Sequence, residues 1–164
     1  MSSDYDRLFP RVGKVLLSKA AASIDFWCNG MHVYGGGYYF VSYAPTQGWI
    51  GLKFAKSGKG AEATQVTAGA EAQYVHEIRV LWFPSASYGM RSAERAGILH
   101  ECTHALRHIM LSGVYEKDGL CGSSIRGQLK ADDEAAAHIA GSLFYLYENG
   151  AEWPTRVWTH SVTQ

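Results

Sequence analysis

The 164-residue chain has no long apolar run, no paired cysteines in sequence and no surplus of charge of either sign. No stretch approaches the ~20 consecutive apolar residues that cross a bilayer as a helix, so no membrane partner is expected. Lys plus Arg number 15 and so do Asp plus Glu; a balanced chain offers no basic face for nucleic acid. Zero net charge leaves the oligomeric state open. The three cysteines, Cys28, Cys102 and Cys121, are odd in number and lack C-x-x-C spacing. That argues against a disulfide framework and for a reducing compartment. The opening residues 1–7 are polar, without a basic segment followed by an apolar one, so a cytoplasmic location is expected; specialised export would leave no such mark. Glycines cluster at 35–37 and 57–60, but G-x-x-x-x-G-K is nowhere satisfied, which removes the phosphate-cradle reading.

At this length a single domain, residues 1–164, is the default. Val12, Leu16, Ala20 and Ile24 have helical spacing and predict a helix over 10–26, with Pro10 in its first turn, Cys28 at its end and Asn29-Gly30 closing it. Residues 38–43 and 49–54 predict two strands joined by a turn at 44–48, with Gly35 to Gly37 as a bulge or kink. Residues 57–73 are small and polar and read as a connection. Residues 74–83 predict another strand, stopped by Pro84. The fold class expected is α+β: a small antiparallel sheet with helices packed on one face.

The informative segment is His100-Glu101-Cys102-Thr103-His104, which fits H-E-x-x-H. On a helix, residues four apart share a face, so both imidazoles can reach one metal ion. Glu101 lies about 100° around from His100, within reach of a water at that ion. Leu99, Cys102, Leu106 and Ile109 form an apolar stripe beside the histidines, with Ser92 as N-cap and Glu94 in the first turn. Cys102 reads as a small buried hydrophobe.

Two ligands are too few, because a catalytic zinc usually takes three and keeps a fourth position open. A second helix is predicted over 127–149, with Gly150 as C-cap. There Glu134 and His138 share a face, and the Ala135 to Ala137 run permits close helix approach. His138, Cys121, Asp132, Asp133 and His108 are rival ligands. The two aspartates point elsewhere if Glu134 points inward, and His108, at i+8 from His100, drifts about 80° off. A third histidine six residues after the second is absent, since Met110 stands there.

His-Glu-Cys-Thr-His-Ala resembles the His-Glu-x-x-His-Ala helix of the gluzincin metallopeptidases, the thermolysin-like zincins. Their later helix reads Asn-Glu-x-x-Ala-Asp-x-x-Gly, and Glu134, Ala137 and Gly141 stand at the matching positions. The resemblance implies that Glu134 is the third ligand to one Zn²⁺ ion. It departs at Asp133, where the family has Asn, and at His138, where it has an Asp that steadies a ligand histidine. The two matching helices cover about a third of the chain.

The expected activity is zinc-dependent hydrolysis of peptide bonds, with His100, His104 and Glu134 as ligands, Glu101 as general base and a peptide or protein as substrate. His138, Tyr145, Tyr115 and Arg126 are candidate oxyanion donors. The strands expected at 38–43 and 74–83 offer edges for pairing with an extended substrate. The alternatives are a zinc amidohydrolase of another kind and a binding domain whose metal is structural or lost. A deformylase would draw a cysteine ligand from upstream, where Cys28 lacks the motif.

Overall fold

Leu8, Val12, Val15 and Leu16 recur every three to four residues and are all buried, and their stripe winds the first helix, α1 (Asp4–Leu16). The computed structural model describes the backbone of residues 4–54, 72–85, 87–118 and 123–151, and the side chains of all of these except 111–118 and 123–130. Asp4 and Asp6 sit in the first turn of α1, where the helix dipole favours acid. The helix predicted over 10–26 is therefore corrected at both ends. Pro10 is inside α1, on its exposed side, and the helix stops at Leu16 because Ser18 turns N-cap. Its hydroxyl accepts the Ala21 N–H at 3.2 Å and starts the short α2 (Lys19–Ala22).

Phe26 and Cys28 belong not to a helix but to β1 (Asp25–Cys28), which pairs antiparallel with β2 (Met31–Tyr34). The turn between them is Asn29-Gly30, with φ of 47° and 79°; two left-handed residues match the strand twist, and Asn-Gly is the pair that adopts them most readily.

The strand expected at 38–43 is a helix, α3 (Gly35–Tyr43). Gly37, Tyr38, Val41 and Ser42 are buried while Tyr39, Phe40 and Tyr43 are exposed, a helical and not an alternating pattern. The glycines are no bulge; they allow α3 to start in contact with its neighbours. A Cβ on Gly35 would lie 2.6 Å from the Ala22 carbonyl oxygen, and one on Gly37 would lie 2.8 Å from Leu106 Cδ2.

β3 (Gly51–Phe54) runs parallel to β5 (Val80–Phe83), and β4 (Gln73–Val75) pairs antiparallel with β5, giving the order β3-β5-β4. The sheet is thus mixed and not antiparallel. The single strand expected over 74–83 is two strands and a turn, with Arg79 at φ 53°. The connection expected at 57–73 lies largely outside the described residues.

Two long helices complete an α+β fold of five helices and two small sheets among the described residues: α4 (Ser92–Asp118) and α5 (Ser123–Glu148). Glu94, not Ser92, holds the start of α4: its Oε2 accepts the N–H groups of Gly89, Met90 and Arg91 at 3.0, 3.0 and 3.1 Å. Those bonds, the Arg91 N–H first, keep its carboxyl below the usual range. Gly150, φ 84°, ends α5, and the Ala151 N–H reaches back to the Leu146 carbonyl. The core joins α1, α3, α4, α5 and the sheet through Leu8, Tyr38, Leu81, Phe83, Leu99 and Phe144. Each such side chain contributes about 1.5–3 kcal/mol on leaving water. No helix among the described residues is long and apolar enough to cross a membrane.

Candidate metal centre

α4 and α5 pack closely because the contact is lined with small residues. Ala105, Ala136, Ala137 and Ala140 are fully buried, and a Cβ on Gly141 would lie 3.2 Å from the Ala96 carbonyl oxygen and 3.4 Å from His100 Cβ. That proximity brings the α4 histidines against the acidic stretch Asp132 to Glu134 within α5. His100 Nε2 and His104 Nε2 are 3.2 Å apart. Glu134 Oε2 lies 3.8 Å from the first and 3.6 Å from the second. Three donor atoms from two helices therefore face one point, an arrangement that could hold a divalent cation.

Burial, reinforced by the neighbouring His104 and His138, pushes His100 down to about 4, so its imidazole is neutral near pH 7, as a ligand must be. His104 is governed differently. Burial would lower it, but the hydrogen bond to Asp133 and that carboxylate's charge raise it. The His104 Nδ1–H donates to Asp133 Oδ2 at 2.6 Å, which fixes the tautomer and turns Nε2 toward His100 and Glu134. Asp133 in turn pairs with the buried Arg107, whose Nε lies 2.9 Å from Oδ1, and His76 Nε2 is 3.6 Å from Oδ2. Asp133 thus does not point elsewhere, as the register argument expected. Residues 133 and 134 straddle His104 and address its two ring nitrogens separately. In the sequence the one mark of Asp133 is to be a carboxylate adjoining the candidate ligand Glu134; its nearness to His104 appears only in the fold.

Glu101 is largely buried, and desolvation pushes it up to about 7. The Tyr74 N–H donates to its Oε2 at 2.6 Å, and its Oε1 lies 3.8 Å from His100 Nε2. One carboxylate oxygen is anchored by the edge strand β4; the other faces the donor cluster. A cleft of about 510 Å³ opens beside it, lined among others by Ala72, Gly97, His138, Ser142 and Tyr145.

His138 is exposed and stands over His100, ring centroids 4.6 Å apart. His108 is not in the ligand cluster: its Nδ1 is 2.9 Å from the Tyr74 hydroxyl. Cys102 is fully buried, and its thiol is pushed up by that burial, as expected of an inert core residue. Cys28, in β1, directs Sγ at the Asp132 carbonyl at 3.9 Å. Tyr115, Cys121 and Arg126 lie outside the described side chains. Comparison of the chain with protein-family models, with curated proteins and with solved structures returned no match.

Proposed function

We propose that this chain is a zinc-dependent peptidase of zincin type, with His100, His104 and Glu134 as ligands and Glu101 as general base. One observation carries the reading: the spacing of 3.2, 3.6 and 3.8 Å among the three donor atoms. Bonds of about 2.0–2.2 Å to a tetrahedral zinc separate its ligands by roughly 3.3–3.6 Å, so side chains already spaced this way need little rearrangement. Two imidazoles and one carboxylate are also a donor set that zinc favours over magnesium or calcium, the His104 proton at Nε2 leaving when a metal binds.

Zinc held there supplies a Lewis acid that polarises a carbonyl and brings the pKa of bound water to about 7. The remaining work belongs to the chain. Glu101, with Oε2 fixed by the Tyr74 N–H, is oriented to accept a proton at Oε1 and return it to the leaving amine. In the metal-free chain its burial raises its proton affinity. Asp133 keeps His104 in register, and Arg107 balances the charge of Asp133. Among the described residues β4 is the edge of its sheet and lies against Glu101, to which its outward Tyr74 N–H is already given; α3, a helix, offers an extended peptide no edge at all. The small residues of the cleft leave room for a side chain next to the scissile bond. Tyr145 borders that cleft as a candidate oxyanion donor.

The test pairs zinc analysis with peptide hydrolysis. Glu101→Gln should keep one zinc per chain and lose about 10²- to 10⁴-fold in rate. Glu134→Ala should lose zinc and rate together. Undiminished hydrolysis in Glu101→Gln, or full zinc in Glu134→Ala, would sink the proposal.

A further inference from the structure

We propose that His138 is a fourth, displaceable donor to the same cation, closing the position that water or substrate must open. The inference rests on the metal-site reading above and names what fills its last corner at rest. Two pairs of residues spaced four apart meet across the α4–α5 contact: His100 and His104 on one helix, Glu134 and His138 on the other. His100, Glu134 and His138 each present a ligand atom, and these atoms lie within 4.8 Å of one another. His100 is flanked by two imidazoles in similar attitudes, His104 at 4.9 Å and 75° and His138 at 4.6 Å and 67° between ring centroids and planes.

The two flanking rings differ in restraint. His104 is buried and bound to Asp133. His138 is exposed on the cleft wall, and among the described residues no hydrogen bond or ion pair ties its ring. A small rotation about its side-chain bonds brings the ring to the cation or withdraws it. Four protein donors make a closed site of the structural kind, whereas three donors and an open position make a hydrolytic one. The same four side chains provide both states, and the exchange is of one neutral ligand for another, with no bond to the chain broken. A peptide entering the cleft would meet His138 at the wall and take its place.

Cobalt(II)-loaded full-length protein tests this, because its visible absorption reports the number and type of ligands. Acetohydroxamate, a bidentate chelating probe, is titrated into the parent and into His138→Ala. The expected result is an altered cobalt spectrum in His138→Ala before any probe is added, and hydroxamate binding at least about 10-fold tighter than in the parent. Zinc affinity, measured against a competing chelator, should fall by about 10-fold or more, no less than the loss of an outer-shell partner costs. A parent-like spectrum with parent-like hydroxamate and zinc affinities overturns the proposal, even if hydrolysis falls, since His138 would then act on substrate alone. His100→Ala runs alongside and should lose the cobalt spectrum. If it keeps that spectrum, the metal-site reading itself fails, so the two failures are told apart.

Discussion

Glu101 is a carboxylate whose surroundings favour its proton. Its folded value, about 7, lies above the ordinary 4.5. A raised folded value means that the contribution to stability is complete below the ordinary value and is lost as pH rises toward 7. In the metal-free protein, Glu101→Gln should therefore gain stability relative to the parent between pH 4.5 and 7, by up to ~3 kcal/mol. Urea unfolding of both proteins across that range checks it; a pH-independent difference would show that Glu101 is not desolvated. Asp133 presents the opposite case, a carboxylate held by a buried cation and a histidine N–H. Asp133→Ala leaves Arg107 buried without its partner and should cost about 3–5 kcal/mol, read by urea unfolding in chelator. Asp133→Asn should cost less, because it retains a hydrogen-bond acceptor for His104. At this scale the sequence was readable where the chemistry is local. His100, Glu101 and His104 share one helix turn, so their spacing alone brings them together. The role of Asp133 was hidden because it depends on which way α5 is rotated against α4, and one step around a helix moves a side chain by about 100°.

Elements show the same division. α4 and α5 were legible because long periodic helices announce themselves, and Gly150 marks the end of the second as expected. α3 was misread because Tyr, Phe and Val favour strands when judged one by one, whereas tertiary packing selects the helix. The helical spacing of Tyr38 and Val41 was present in the sequence but outweighed by composition. Asn29-Gly30 was read as a helix stop when it is a hairpin turn, although the pair flanked by alternating apolar residues is a strong hairpin signal. The glycines at the start of α3 give a direct check on that packing. Gly35→Ala puts its new carbon 2.6–2.9 Å from backbone atoms of Ala22, which cannot rotate aside. It should lower stability by about 1–3 kcal/mol in denaturant unfolding. An unchanged midpoint would mean that α2 and α3 do not meet as described.

For the whole molecule, the parallel pairing of β3 with β5 could not be read from local pattern, because it joins segments about thirty residues apart in a register that only the assembled core sets. Ion binding at the proposed site would act on the whole molecule as well, through mass action. The donors of α4 and α5 converge only in the folded chain, so zinc should stabilise it by RT ln(1 + [Zn]/Kd), about 2.7 kcal/mol when free zinc is 100 times Kd. Calorimetry with graded zinc should show Tm rising with concentration, and Glu134→Ala should abolish the rise. A Tm indifferent to zinc in the parent would argue that the donors do not grip the ion.

On the flank of α4, about 80° around from the histidines, the Thr103 hydroxyl donates to the Leu99 carbonyl and receives the Tyr38 hydroxyl at 2.8 Å, all of it buried. The helix is keyed to α3 at that point, as a shaft is keyed to its hub. It cannot spin about its long axis without parting two buried hydroxyls, and so the angular aim of His100 and His104 is set from the side, by two oxygens that stand outside the donor cluster.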